Sequence, residues 1–311
     1  MQFEDKVRSG DRFLVEGSMF DRLKRLAGGD FDPQLAHLGL VYSQGGQEAL
    51  RTAYGSYVDA ARAGGLPVVL FTPTWRANQE RVSLSPLGNR NVNRDATDFL
   101  VQMRDSYRGG QIFIGGLVGC RNDCYSPQEG LTSEASLEFH RPQIASLGSS
   151  AVDFLFASTL PAVPEAIGLA RAMAETEKPY ILSFVADSGG LTLDGLRLED
   201  AIATIDASVL RKPLGYFVNC THPVGFLSGL EQSGASAASL AGRLIGFQGN
   251  TSRRDAREFD ALPKLETEDP ASFARATIEV RGRFGLSLLG GCCGTGPEHI
   301  EAIGTILREE A

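Results

Sequence analysis

The chain alternates between short, unbroken apolar runs and longer stretches whose apolar residues recur at helical spacing. Phe13-Leu14-Val15-Glu16 is the first run and Pro67–Thr72 the second; the others are Ile112–Gly115, Val152–Ala157, Tyr180–Val185, Gly215–Val218, Leu244–Phe247 and Leu286–Leu289. Each has the length of a strand, and the absence of polar alternation predicts burial on both faces, as in a parallel sheet. Helical periodicity predicts helices over 19–26, 47–63, 93–108, 132–147, 163–176, 198–208, 226–238, 271–283 and 297–309. Repeated strand-then-helix units favour a closed (β/α)8 TIM barrel, α/β in class, as a single domain over residues 1–311. An open doubly wound sheet is the alternative.

Composition narrows the partners. Hydrophobic residues at 42% and charged residues at 22% fit a soluble globular chain, and 311 residues accommodate one large barrel. With 30 Lys and Arg against 38 Asp and Glu, the net charge of -8 argues against a nucleic-acid partner. Met1 to Lys6 has no apolar core of signal-peptide length, and no run approaches the roughly 20 residues of a membrane span. Five cysteines, an odd number, point to reduced thiols and a cytoplasmic chain. A homo-oligomer is left open.

Chemistry concentrates at Gly290-Gly291-Cys292-Cys293-Gly294, directly after the last predicted strand and before a helix opened by Pro297 and Glu298. Adjacent cysteines pair poorly with each other, so a shared metal explains them better than a disulfide. The third ligand is Cys220, which ends the run Tyr216-Phe217-Val218-Asn219. In a barrel, the carboxyl ends of the strands share one mouth, so 72 positions of sequence separation between Cys220 and Cys292 become a short distance. Three thiolates predict a Zn2+ site with one open position. Two alternatives stand beside it: simple buried thiols, and a closed structural site completed by His222 or by Cys120 and Cys124. Such an electron-rich metal activates water poorly but leaves a bound sulfur nucleophilic, which points to alkyl transfer from a cationic donor to a thiolate. Neither a serine-nucleophile turn nor a phosphate- or dinucleotide-binding glycine loop is present.

Glu16, Thr72, Ser158, Asp187 and Asn250 end other strands and are expected to face the same mouth. Loops 73–91 with Trp75, 117–131 with Cys120 and Cys124, and 249–270 with Arg253 and Arg254 are long enough to cover it. The spacing of Cys120 and Cys124 carries no strong metal or redox signature. Trp75 is a candidate contact for a methyl-bearing cation.

The Gly-Gly-Cys-Cys-Gly element, Val218-Asn219-Cys220, Leu14-Val15-Glu16-Gly17-Ser18-Met19 and Ser158-Thr159-Leu160-Pro161 resemble the homocysteine S-methyltransferase family from about residue 12 to 309. The resemblance implies a zinc-dependent barrel whose metal is held by Cys220, Cys292 and Cys293, with the homocysteine thiol as fourth ligand. It implies a methyltransferase moving a methyl group from S-methylmethionine, S-adenosylmethionine or betaine to a small thiol amino acid, giving methionine. Glu16, Gly17, Thr72, Ser158, Asn219, Asn250 and Thr251 are the implied substrate-binding positions; no protein nucleophile is needed. Two positions depart from the family pattern. Glu16 stands where the opening motif usually has an aspartate, and Ser158 where the family carries a glutamate that helps hold the amino acid. Loss of that charge removes an ionic partner worth about 1.5–3 kcal/mol. A divergent member using another small thiol, or a non-catalytic zinc- or thiol-binding barrel, is the alternative function.

Overall fold

A computed structural model of the chain describes residues 2–28, 31–109, 111–234, 237–254, 258 and 266–310. Eight parallel strands, β1 (Phe13–Val15), β2 (Val68–Phe71), β3 (Ile112–Val118), β4 (Phe154–Leu160), β5 (Tyr180–Val185), β6 (Gly215–Asn219), β7 (Leu244–Gly249) and β8 (Leu288–Gly291), close in sequence order into a barrel. The expected (β/α)8 TIM barrel is therefore present, and the open sheet is not. Closure is made by β1 against β8, with Phe13 opposite Leu288 and Leu14 opposite Leu289.

Alternation along each strand separates two apolar layers. Phe13, Val69, Phe71, Phe154, Phe156 and Phe217 belong to the core inside the barrel. Their neighbours Leu14, Leu70, Leu155 and Val218 join the layer beneath the surrounding helices. Double-sided burial explains why the strands read as continuous apolar runs. Large interior rings require small neighbours: a Cβ on Gly246 would sit 2.1 Å from the Phe217 ring, and one on Gly115 would sit 2.7 Å from Phe71.

The floor of the barrel is closed by a helix that the periodicity did not predict. It spans Phe3–Arg8, and its two buried residues, Phe3 and Val7, lie on one face. The Phe3 ring stacks on Phe154 at 4.1 Å and meets Phe13 edge-on at 5.5 Å.

At the upper rim the strands run further than their apolar composition indicates. β4 continues through Leu160, so Ser158 lies within the strand; a register shift against β5 falls between Ala157 and Leu160, and Thr159 takes φ 60°. β8 continues through Gly290 and Gly291, which pair with Gln248 and Gly249. The helix expected over 226–238 instead spans Pro223–Gln232, with a separate turn at Ala237–Leu240; residues 235 and 236 lie outside the described residues. Among the described residues, no helix is long and apolar enough to cross a membrane.

Candidate metal centre

Cys220 is the first residue after β6, Cys292 and Cys293 the first two after β8. Their sulfurs all lie within 4.8 Å of one another. The Sγ atoms of Cys220 and Cys292 are 2.6 Å apart, and those of Cys292 and Cys293 are 3.9 Å apart. Among the described residues this is the one group of three or more metal-ligating side chains. The barrel thus brings together what the sequence separates.

Backbone contacts explain the placement. Cys220 adopts φ 56°, a left-handed conformation that costs a non-glycine residue of order 1–3 kcal/mol and persists only where its surroundings enforce it. Those surroundings are visible: Cys220 N–H donates to the Gln248 carbonyl at 3.1 Å, and its own carbonyl accepts Asn250 Nδ2 at 2.9 Å. Cys292 N–H donates to the Gly249 carbonyl at 2.8 Å, and the Cys293 carbonyl accepts the Thr251 N–H at 3.2 Å. Thr295 Oγ1 donates to the Cys292 carbonyl at 2.6 Å while accepting the Ser18 N–H, which joins β1 to the cysteine turn. Gly294, at φ 82°, donates its N–H to Asp21, and its missing Cβ leaves room for the Thr251 hydroxyl.

Electrostatics favour a cation at this point. Hydrogen bonds from Cys220 and then Cys293 hold the Cys292 thiol well below its ordinary pKa. Cys220 is pushed well above it, chiefly because its proton is shared with Cys292. Cys293 also rises well above it: the hydrogen bond with Cys220 assists its ionisation, but the hydrogen bond with Cys292 and burial prevail. One negative charge thus suppresses ionisation of the other two sulfurs, and a divalent cation would lift that restriction. Tetrahedral thiolate ligation with bonds near 2.3 Å places sulfurs about 3.8 Å apart. The Cys292 and Cys293 pair matches this spacing, while Cys220 would move outward from Cys292. The donor set therefore fits a soft or borderline metal.

The alternative fourth ligands are engaged elsewhere. His222 accepts the Val224 N–H through Nδ1 and bonds Glu268 through Nε2 at 3.0 Å, capping helix Pro223–Gln232. Cys120 is buried and bonds the Asn122 carbonyl at 3.4 Å. Neither Cys120 nor Cys124 joins the sulfur group.

The other predicted positions divide by what their side chains reach. Asn219 donates to the Cys220 sulfur at 3.2 Å and to Ser158 Oγ at 3.5 Å, and its Oδ1 accepts from Ser183 at 2.7 Å. Ser158 is therefore connected to the cluster through one residue. Asn250 presents Oδ1 buried and without a partner, while Thr251 bonds the Glu266 carbonyl at 2.9 Å. Gly17 sits where a Cβ would press on Thr295 and Tyr57. Thr72 is fully buried, and its hydroxyl bonds Thr74 at 2.7 Å and accepts the Leu117 N–H at 2.9 Å, tying β2 to β3. Asp187 lies in a turn, where Oδ1 accepts the N–H groups of Gly189 and Leu191. Glu16 is buried and accepts the Phe71 N–H at 3.0 Å; burial pushes its pKa well above the ordinary range despite that bond.

Trp75 donates to Thr159 Oγ1 at 3.1 Å, and Arg76 stacks over its ring at 4.8 Å. Arg254 pairs with Glu266 on an exposed surface. Residues 255–257 and 259–265 of the third predicted loop lie outside the described residues. Sequence reading missed Tyr125 and Leu193, which pack with Cys292 and Cys293 against Cys220 and Val185. Burial, and after it the Cys220 and Cys293 thiols, push the Tyr125 hydroxyl far above its usual pKa, so it remains neutral. No local pattern marks Tyr125: it sits in an irregular loop, and only the closed barrel brings it to the sulfurs.

The chain is 27% identical over 194 residues to homocysteine S-methyltransferase YbgG of Bacillus subtilis, covering 59% of this chain and 56% of that protein. It is 29% identical over 175 residues to the selenocysteine Se-methyltransferase of Brassica oleracea, covering 56% and 49%. The chain thus spans about half the length of the curated relatives it matches. The metallated crystal structure of the homocysteine methyltransferase MmuM from Escherichia coli superposes with a TM-score of 0.73 at 20% identity, over 95% of this chain and 96% of that one, a likeness of fold. The homocysteine S-methyltransferase family model matches residues 13–307, and the chain belongs to that family.

Proposed function

We propose that the protein is a zinc-dependent S-methyltransferase that moves a methyl group from a small cationic donor to the thiolate of homocysteine, giving methionine. The observation that carries this reading is the convergence of three cysteine sulfurs at the carboxyl ends of β6 and β8 with no fourth protein ligand among the described residues. Family membership and the printed name of the Bacillus subtilis relative support homocysteine as the acceptor.

Cys220, Cys292 and Cys293 would hold the zinc, which when bound supplies a place where an acceptor thiol persists as a nucleophilic thiolate at neutral pH. The remaining work belongs to the polypeptide. Asn219 fixes the Cys220 sulfur by its amide N–H and is itself fixed by Ser183, so the ligand's direction is set before any substrate arrives. Glu16, Asn250 Oδ1 and the Ser158 hydroxyl are the acceptors available to an amino group near the cluster. An ammonium group beside Glu16 would favour the charged carboxylate that burial disfavours. Thr251 and Gly17 flank the cysteine turn, Thr251 through its N–H on the Cys293 carbonyl and Gly17 beside Thr295. Holding donor methyl and thiolate in line would provide much of the rate, because no protein nucleophile takes part.

Ser158 favours a second reading, in which the acceptor is another small thiol that lacks a tightly held ammonium group. Metal analysis with and without homocysteine, followed by a screen of S-methylmethionine, S-adenosylmethionine and betaine as donors, separates the readings. The proposal expects one zinc per chain, a sulfur ligand gained from homocysteine, and methionine with at least one donor. A metal-loaded protein that methylates no thiol would leave only a binding barrel. Cys292→Ala is expected to remove zinc and activity together; full activity in that variant would exclude the mechanism.

A further inference from the structure

The segment between β3 and helix Ser133–Gly148 leaves the barrel at Gly119 and returns at Leu131. Both limbs of its neck converge on Glu165, from the first turn of helix Val163–Ala174. The Arg121 N–H donates to Glu165 Oε1 at 2.8 Å, and the Leu131 N–H donates to Oε2 at 3.3 Å. His140 Nε2 lies 3.1 Å from Oε1, and Glu165 and His140 are both almost fully enclosed. A single carboxylate therefore closes a loop of compact, internally bonded residues: Asn122 reaches the Glu129 carbonyl, and Asp123 accepts the Tyr125 N–H at 2.9 Å. The loop's Tyr125 packs against Cys220 and Val185, as do Cys292 and Cys293.

We infer that residues 119–131 form a cover over the sulfur cluster, that Tyr125 is its substrate-facing residue, and that Glu165 is the positioning residue that holds it there. The inference rests on the reading of the cluster as the reaction centre. A carboxyl group buried this deep is costly without partners, and its three hydrogen-bond contacts at one loop neck give a reason for it. A glutamine in its place offers one oxygen and one NH2 group, so one of the two backbone donors would face another donor. Loosening the neck would swing the Tyr125 ring away from the cysteines without touching them. The ring's position also sets the space left for the acceptor, restricting it to a short, unbranched thiol.

Two measurements test this, one of which needs neither zinc nor turnover. In the metal-stripped full-length protein, the rate at which iodoacetamide alkylates Cys292 and Cys293 is expected to rise about tenfold in Tyr125→Ala and in Glu165→Gln, and to stay within about twofold in Tyr125→Phe, which keeps the ring's buried area. In the zinc-loaded protein, both opening variants are expected to raise KM for the acceptor about tenfold while kcat changes less, and to accept a branched thiol that the parent rejects. Unchanged alkylation in a folded Tyr125→Ala variant would overturn the cover. Alkylation that rises in Tyr125→Ala but not in a folded Glu165→Gln would overturn the role of Glu165. If the parent methylates no thiol, the alkylation rates still decide the inference, so its failure is distinct from failure of the proposed activity.

Discussion

Gly294 condenses the local problem of the site into one residue. Its φ of 82° belongs to the left-handed region, and a Cβ there would lie 1.9 Å from Thr251 Oγ1 and 2.8 Å from the Glu266 carbonyl. Gly294→Ala is therefore expected to destabilise the fold by at least about 1–3 kcal/mol and to weaken metal retention more than the stability loss alone accounts for, since the turn carries both adjacent cysteines. Urea midpoints and the metal content after dialysis check the two parts. Cys220 carries the complementary strain: it accepts a left-handed backbone because Gln248 and Asn250 bracket its peptide units. The identity of the three sulfurs was legible in the sequence because a Gly-Gly-Cys-Cys run has few structural explanations. Tyr125 was not, because its role depends on a loop folding back across the mouth.

Among the elements, strands and long helices followed hydrophobic period closely: helices 198–208 and 297–309 have the expected bounds. The failures have a common cause. β4 extends through Ser158, which lies in a register irregularity, and β8 through two glycines that pair by backbone alone; apolarity marks none of the three. Helix Phe3–Arg8 escaped notice because six residues hold barely one repeat of the pattern. Its importance is tertiary: Phe3 meets Phe13, Phe113 and Phe154. Phe3→Ala is expected to cost about 3–5 kcal/mol, as for other large-to-small changes in a packed core. Chemical denaturation measures it; a change under about 1 kcal/mol would show that the floor packs independently of the barrel.

For the molecule as a whole, the acid limb of stability is the accessible test. His37 is only half-buried as a residue, yet its Nδ1 is enclosed without a partner and its ring meets Phe20 and Phe31. Burial lowers its pKa from 6.5 to about 4. The unfolded chain binds that proton first as pH falls, so the stabilisation is complete above the unfolded value and is lost as pH falls through the folded one. Urea midpoints are expected to decline between about pH 6.5 and 4, and His37→Leu is expected to flatten that decline. An identical slope in the variant would assign acid sensitivity to another group.

The stacked phenyl rings beneath the barrel also govern how the protein is best handled. Because Phe3 is anchored among Phe13, Phe113 and Phe154 at the amino ends of the strands, a purification handle or surface tether joined ahead of residue 2 would emerge at the end of the barrel opposite the cysteine cluster. An immobilised preparation made that way should keep the three sulfurs facing the liquid, whereas trimming the first ten residues would uncork the lower end.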